Sequence, residues 1–532
     1  MAEKKVQKKI FWLIAISTAL RSTLAIFLEL GNDEVYYWTY AQHLEWNYFD
    51  HPPMVGLLIR ITSLNLMLQS EFFIRLGSIL CSAVNTWLIF RMGSLIRNEK
   101  TGWYAALLFT SSIYCSIIAG TFILPDSPQL LFWILSMYLM LILLSKNQTA
   151  KTNRFLMLAM GICIGLCIMS KVHGIFLWFG FGVYILFYDR QWLHSPYLYL
   201  AGLLTIIMIS PIFFWNLGNH FITYSFHSGR VGLWAKKPNL DDFLQQFLGS
   251  VFYCNPVNFN IYVVAMISLF RKNSGIQSGY RRLLLLLGLP LIMILLLISF
   301  FNETLPHWSG PGYISILLIA ASHLEIRQKF SGIPRSLLAA LGLIVAIVLL
   351  GLPAIKSLPL QVGDKEEKYL GKGDPSLDLN GWKRFSVAFD SLYKQHEKSG
   401  IMKENAFILS DYWFPAAHLD YYLARPMHAN FFAIGTLNAI HHYGWLNKER
   451  PELVKGSDAY FIYPSNYYGP PQESLRNCFR KVDDSLIVKQ YRSGVPVRNF
   501  VIYRMHSYLG GIKRDGEVLP KNNIIPKPTR AG

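Results

Sequence analysis

Two acidic residues follow the first apolar run of the chain, in the stretch Gly31-Asn32-Asp33-Glu34-Val35-Tyr36-Tyr37-Trp38. A carboxylate placed beside a hydroxyl can take its proton as the oxygen attacks an electrophilic carbon. Gly31-Asn32 can end one helix, with Asn32 capping the next. Asp33 and Glu34 then fall in a first helical turn, and Tyr36 and Tyr37 lie three and four residues on, over the face of Asp33. A plainer reading is also open: acids at a helix start complement its dipole, and Tyr and Trp populate membrane interfaces. The same connection closes with Tyr48-Phe49-Asp50-His51-Pro52-Pro53-Met54. The following proline holds His51 extended. A carboxylate pair with an imidazole near a bilayer suits proton abstraction from a hydroxyl and recognition of a phosphate.

Three further sites carry similar chemistry. The turn Leu124-Pro125-Asp126-Ser127-Pro128 sets an acid at a helix start, where prolines explain the turn but not the acid. Lys171 and His173 sit between two apolar runs, on the side of the membrane where basic residues are scarce. A cation there is costly without a partner, which makes it a functional candidate; a snorkelling lysine is the competing reading. Asn302-Glu303-Thr304-Leu305-Pro306-His307-Trp308 is a short polar loop, in which His307 also reads as an ordinary interface histidine. The sequence has no P-loop, GxSxG elbow, HExxH or Rossmann glycine pattern, so it offers no nucleotide site. A sugar transferase built from these residues needs a donor delivered within the membrane.

The elements that must position these residues are membrane spans. The 532 residues are 52% hydrophobic and only 15% charged, with the apolar residues in blocks. A span needs about 20 apolar residues. Such segments fall near 10–30, 73–90, 103–123, 127–144, 155–170, 174–188, 197–216, 250–270, 283–301, 309–324 and 335–354, roughly eleven in all. The start, basic at Lys4, Lys5, Lys8 and Lys9 and then apolar, reads as a retained signal anchor. Residues 54–68, interrupted by Arg60, read as an interfacial helix. The net charge of +18 sits largely in short loops, which argues against a nucleic-acid partner and for topology signals. Arg91, Arg97, Lys100, Lys146, Lys151, Arg154, Arg190, Arg271, Lys272, Arg281, Arg282, Arg327, Lys329 and Arg335 fall on one side if spans alternate. The opposite connections hold few: Lys171, Arg230, Lys236 and Lys237. This places the N-terminus in the cytoplasm and, with an odd span count, the C-terminal region outside.

Residues 356–532 read as a small soluble α/β domain. Strand-like runs occur at 406–410, 459–463 and 499–503, with an amphipathic helix at 382–398 and a loose tail from about 511. Of six cysteines only Cys478 lies in this region, so it closes no internal disulfide. Cys163 and Cys167 read as packing residues on an apolar helix.

In these residues the chain resembles the GT-C class of membrane glycosyltransferases, and within it the bacterial branch of the protein O-mannosyltransferase and aminoarabinose transferase superfamily, glycosyltransferase family 39 and its relatives. The resemblance rests on Asp33-Glu34 after the first span, the aromatic helix behind them and the return through Pro52-Pro53. Pro125-Asp126, Ser170-Lys171-Val172-His173 and Pro306-His307-Trp308 add to it, over roughly residues 10–355, with a less specific echo at Gly381-Trp382. It implies an α-helical polytopic membrane domain (1–355) bearing an extracytoplasmic α/β domain (356–532), in an inner membrane. The implied reaction is inverting transfer from a polyprenyl-phosphate-linked sugar to a hydroxyl on a lipid, glycan or protein acceptor.

By the same resemblance Asp33 is the base and Glu34 its support. Lys171, His173 and His51 contact the donor phosphate, although His51 stands where many relatives carry a lysine. Tyr36, Tyr37, Asp50, Asp126, His307 and Trp308 contact substrate. Asp50 replaces a glutamate of the aminoarabinose branch. A lone Asp-His pair is too little to assign a metal, and a divalent ion stays open. The alternatives are a lipid-linked oligosaccharide ligase or polymerase, a transporter or flippase, and a sensory membrane protein. A transporter needs polar residues lining a path through the spans, whereas here they gather at one face.

Overall fold

A computed structural model describes residues 2–145, 149–231, 237–270, 275–328, 332–467 and 469–519. Lys146, Lys236, Arg271, Lys272, Lys329 and the tail beyond 519 lie outside the described residues. The chain is mainly helical, because its apolar blocks can satisfy their backbone groups in lipid only within helices. α1 (Ala2–Phe27), α2 (Asn32–Gln42), α3 (Met54–Thr62), α4 (Glu71–Ile96) and α5 (Glu99–Ser111) lead to a π-helical turn at Tyr114–Ile118. α6 (Asp126–Leu143), α7 (Ala150–Ser170), α8 (Ile175–Tyr188), α9 (Pro196–Gly218) and α10 (Ile222–Val231) follow. Next come α11 (Leu240–Cys254), α12 (Pro256–Phe270), α13 (Ser278–Ser299), α14 (Gly310–Arg327) and α15 (Arg335–Ser357).

Among the described residues, seven helices are long and apolar enough to cross a membrane: α1, α4, α6, α7, α9, α13 and α15. The number becomes eight if α11 and α12, bent by 99° at a short break, act as one span. All eleven expected segments fall on helix, but α5, α8 and α14 are not among the seven, so length and composition do not establish eleven spans among the described residues. The helix expected over 54–68 is shorter, ending at Thr62 ahead of three left-handed residues, Leu64, Asn65 and Leu66.

The chain forms two compact units that do not follow chain order. One comprises residues 1–26 and 44–349, the other residues 27–43 and 350–532. In the first, helices approach closely at small residues, as membrane helices do. A Cβ on Gly161 of α7 would lie 2.4 Å from the Ala201 carbonyl of α9, and one on Gly288 of α13 would lie 2.5 Å from the Gly312 carbonyl of α14. The core between them holds Trp133, Met137, Leu283, Leu284 and Leu287, all fully buried.

The second unit is built on a six-stranded sheet: β1 (Phe407–Ser410), β2 (Phe431–Ala433), β3 (Ala459–Pro464), β4 (Phe479–Val482), β5 (Leu486–Arg492) and β6 (Val495–Tyr508). Its order is β2-β1-β3-β6-β4, with β5 also on β6. β1 runs parallel to β2 and β3, and the pairings of β6 are antiparallel. α16 (Trp382–Lys398) covers the sheet through Phe385 and Phe389, and α17 (Trp413–Leu419) follows β1. The strands and helix read from sequence coincide with β1, β3, β6 and α16.

At the α11–α12 bend Asn255 takes a φ of +75°, a conformation asparagine tolerates better than most residues. Its amide nitrogen donates to the carbonyls of Ser111 (2.9 Å) and Ala340 (3.0 Å), tying the bend to two other helices. Replacing Asn255 by alanine strands both buried carbonyls and strains the backbone. We expect a loss of about 1–3 kcal/mol, read as a lower melting temperature in detergent. Asn255→Gly should recover part of it by relieving φ, and an unchanged melting temperature for Asn255→Ala would show that this amide does not hold the bend.

Candidate functional site

Three connections of the first unit converge on Asp126, the first residue of α6. Lys171, at the end of α7, donates from Nζ to Asp126 Oδ2 at 2.8 Å, with side chains only 4% and 2% exposed. Tyr114, in the π-helical turn, donates from its hydroxyl to Asp126 Oδ1 at 3.2 Å. His307 Nε2 lies 3.9 Å from Asp126 Oδ2. Trp308 brings its ring within 5.9 Å of Lys171 Nζ and 5.9 Å of the His173 ring. The lysine that sequence marked as costly without a partner therefore has one. Beside the pair, Tyr114, Ser250, Tyr253, Ser309 and Tyr313 line a small cavity of about 10 Å³.

Asp50 and His51 belong to the same unit. His51 Nε2 is 3.8 Å from Asp50 Oδ2, and the Asp50 carbonyl bonds His227 Nε2 at 2.7 Å. The His51 and His227 rings are 6.1 Å apart. Burial pushes His51 down to about 4; Asp50 opposes this, Lys171 and His227 add to it, and Asp126 opposes it weakly. Burial likewise brings His307 to about 4, against the pull of Asp126 and with the push of Lys171. Both imidazoles are therefore neutral at neutral pH. Asp50, His51, Asp126, Lys171, His173, His307 and Trp308 thus gather in one unit. Sequence reasoning passed over His227, Tyr114 and Tyr253. His227 carried the same signal as His51, a histidine in a polar connection between apolar runs. Tyr114 stands inside an apolar run, where nothing marks a π turn. Among the described residues no group of three or more His, Cys, Asp or Glu is arranged to hold a metal ion.

Asp33, Glu34, Tyr36 and Tyr37 lie in the second unit. Gly31, not Asn32, precedes the first helical residue of α2. Glu34 is buried and folds back to accept from the Gly31 N–H at 2.9 Å, half of a capping box. Tyr36 and Tyr37 are buried among rings, with Tyr36 4.9 Å from Trp413 and 5.8 Å from His441. Asn32 is committed as well. Its amide nitrogen donates to Asp378 (2.9 Å) and Tyr467 (3.0 Å), and its carbonyl accepts from His418 Nε2 (2.9 Å). Burial raises Asp378 to about 6, moderated by the Tyr467 hydroxyl, Arg498 and Asn32. Upstream, Glu29 accepts from the backbone of Trp382 (2.8 Å) and Lys383 (3.3 Å) at the start of α16. Of Glu29, Asn32, Asp33 and Glu34, only Asp33 is exposed.

The lowered histidines carry a stability consequence. Their folded values, about 4, lie below the ordinary value of about 6.5, so the folded chain binds fewer protons between the two. Stability then falls as pH drops from about 6.5 towards about 4. The melting temperature in detergent should decline over this window, and a His51→Gln/His307→Gln variant should decline less. Equal declines would contradict the assignment of these histidines as neutral.

The chain is similar to several known proteins in sequence and in fold. The dolichyl-phosphate-mannose-protein mannosyltransferase family profile matches residues 50–215. A lipid A galacturonosyltransferase of Rhizobium johnstonii is 23% identical over 353 residues, covering 65% of this chain and 71% of that one. An undecaprenyl phosphate-α-4-amino-4-deoxy-L-arabinose arabinosyl transferase of Proteus mirabilis is 25% identical over 135 residues, 25% of this chain and 24% of the relative. The fold matches ArnT from Cupriavidus metallidurans bound to undecaprenyl phosphate, with a TM-score of 0.61 at 13% identity over 93% of this chain and 98% of that one. The apo form of that protein matches equally, at 0.60. In sequence over residues 50–215 and in overall fold, the chain is thus similar to membrane glycosyltransferases that use polyprenyl-phosphate sugars.

Proposed function

We propose that the chain transfers a sugar from a polyprenyl-phosphate-linked donor to an acceptor hydroxyl outside the cytoplasm, with inversion at the anomeric carbon. The observation that carries this reading is the convergence of Lys171, Asp126 and half-buried histidines in one unit of a chain whose fold matches, over 93% of its length, that of ArnT bound to undecaprenyl phosphate. In this reading residues 1–355 form the membrane transferase domain of an inner-membrane protein and residues 356–532 an extracytoplasmic domain. The N-terminus is cytoplasmic. Because one relative is named for lipid A, a lipid A-type glycolipid is the first acceptor to test, ahead of other glycans and proteins.

The donor phosphate lies against Lys171, His51 and His173. Cleavage of the bond between the anomeric carbon and the phosphate oxygen turns a diester with one negative charge into a monoester that gains another. Lys171, fixed by Asp126, meets that charge with a preorganised cation. Neutral His51 offers a hydrogen bond in the ground state, and the growing charge favours its protonated form. The acceptor oxygen attacks the anomeric carbon as the phosphate leaves, and a carboxylate takes its proton; Asp33 is the base in this reading. Glu34, Tyr36 and Tyr37 hold the helix that carries Asp33. Asp50, Asp126, His307 and Trp308 shape the sugar and phosphate surroundings.

The test is transfer of label from a panel of polyprenyl-phosphate sugars, using purified protein and a glycolipid acceptor. Wild type should yield product, and Asp33→Asn should be slower by about 10²–10⁴-fold with an unchanged melting temperature. A folded Asp33→Asn protein with full activity would remove the base assignment. Transfer of whole lipid-linked glycans, but of no single sugar, would replace this reading with a ligase.

A further inference from the structure

A second feature of the membrane unit lies apart from the residues assigned to transfer. α1, α15 and the segment running from Thr110 through the π-helical turn enclose a groove of about 260 Å³. Its lining is almost wholly apolar, from Leu13, Ile16 and Leu20 on α1 to Leu341 and Val345 on α15. Along α1 it extends from Leu13 to Leu24, a rise of about 17 Å, comparable to an acyl chain. Arg21 also lines it, 3% exposed. Two of its nitrogens bond the π turn: Nε donates to the Ser116 carbonyl (3.3 Å) and Nη2 to the Ser116 hydroxyl (3.0 Å). The third, Nη1, is buried without a hydrogen-bond partner among the described residues. No carboxylate lines the groove.

A guanidinium within a span is costly and is retained where an anion or a polar path meets it. Ser116 supplies two neutral acceptors and leaves the charge uncompensated. The missing component is an anionic oxygen attached to something apolar enough to enter between α1 and α15. Arg21 lies about 9 Å along the axis from the end of α1 at Phe27, the depth at which a lipid headgroup meets its chains. We infer that this groove binds an anionic glycerophospholipid, its phosphate oxygen accepting from Arg21 Nη1 and one acyl chain lying along α1 and α15. The same π turn presents Ser116 to Arg21 and Tyr114 to Asp126, so the bound lipid braces the turn that supports the buried ion pair. The site stands independently of the proposed transfer reaction.

The test uses full-length protein in detergent. Phosphatidylglycerol, diacylglycerol and inorganic phosphate are added separately, and bound lipid is counted by native mass spectrometry alongside the melting temperature. Phosphatidylglycerol should bind and raise the melting temperature, while diacylglycerol and inorganic phosphate should do neither. Arg21→Met should reduce phosphatidylglycerol binding at least tenfold. Should Arg21→Met fail to fold, Val345→Trp fills the groove without touching the Ser116 bonds and should abolish the same binding. Diacylglycerol acting as well as phosphatidylglycerol would reduce the groove to an apolar crevice and overturn the role of Arg21. Inorganic phosphate acting alone would overturn the lipid assignment. Undiminished binding in folded Arg21→Met or in Val345→Trp would place the lipid elsewhere.

Discussion

The buried pairing of Lys171 with Asp126 is the constraint on which the membrane unit depends. Removing two charges from water costs several kcal/mol per ion, recovered only when geometry is close and the remaining polar atoms are satisfied. The 2.8 Å contact and the Tyr114 hydroxyl meet those terms. Removing either partner alone leaves an uncompensated buried charge, a loss of about 3–5 kcal/mol. The pair therefore fixes the start of α6, the end of α7 and the π turn against one another. Its burial also shapes the histidines: the desolvation that makes the pair strong keeps His51 and His307 neutral. Around Asp126 the unit thus holds a fixed cation, Lys171, beside neutral histidines that can charge when negative charge arrives.

The second unit applies the same economy to α2. Gly381 takes a φ of +99°, and a Cβ there would strike the Gln490 side chain, so only glycine lets α16 start at this point. Trp382 then stacks on His418 at 4.1 Å, and Arg498 packs over Trp382 at 4.5 Å. His418 in turn holds Asn32. A chain of contacts runs from the Gly381-Trp382 motif to the turn preceding Asp33, which is how a motif far along the sequence bears on the first loop.

What sequence made legible was what depends on local composition. Apolar blocks located the helices, and polar residues at span ends located Asp126, Lys171, His173 and His307 before any geometry was known. The edge strand β2 is three residues long and β4 carries Arg480 and Lys481, so neither stands out, whereas the fully buried β1 and β3 read as continuous apolar runs. The affiliation of α2 with the C-terminal unit was not legible, because it rests on contacts such as Asn32 with Asp378 and Tyr467, hundreds of residues apart. Hydropathy also could not separate α5 and α8, short apolar helices, from full spans, since length near the threshold does not distinguish a crossing helix from a buried one.

The central claim is that Lys171, held by Asp126, is the cation that receives the donor phosphate. The most direct measurement is the affinity of undecaprenyl phosphate for wild type and for Lys171→Met/Asp126→Leu, in which both charges are removed together so that neither is left buried alone. The double variant should fold with a melting temperature near that of wild type and bind at least tenfold more weakly. A folded double variant that binds undecaprenyl phosphate as tightly as wild type would contradict the account and move the phosphate site elsewhere.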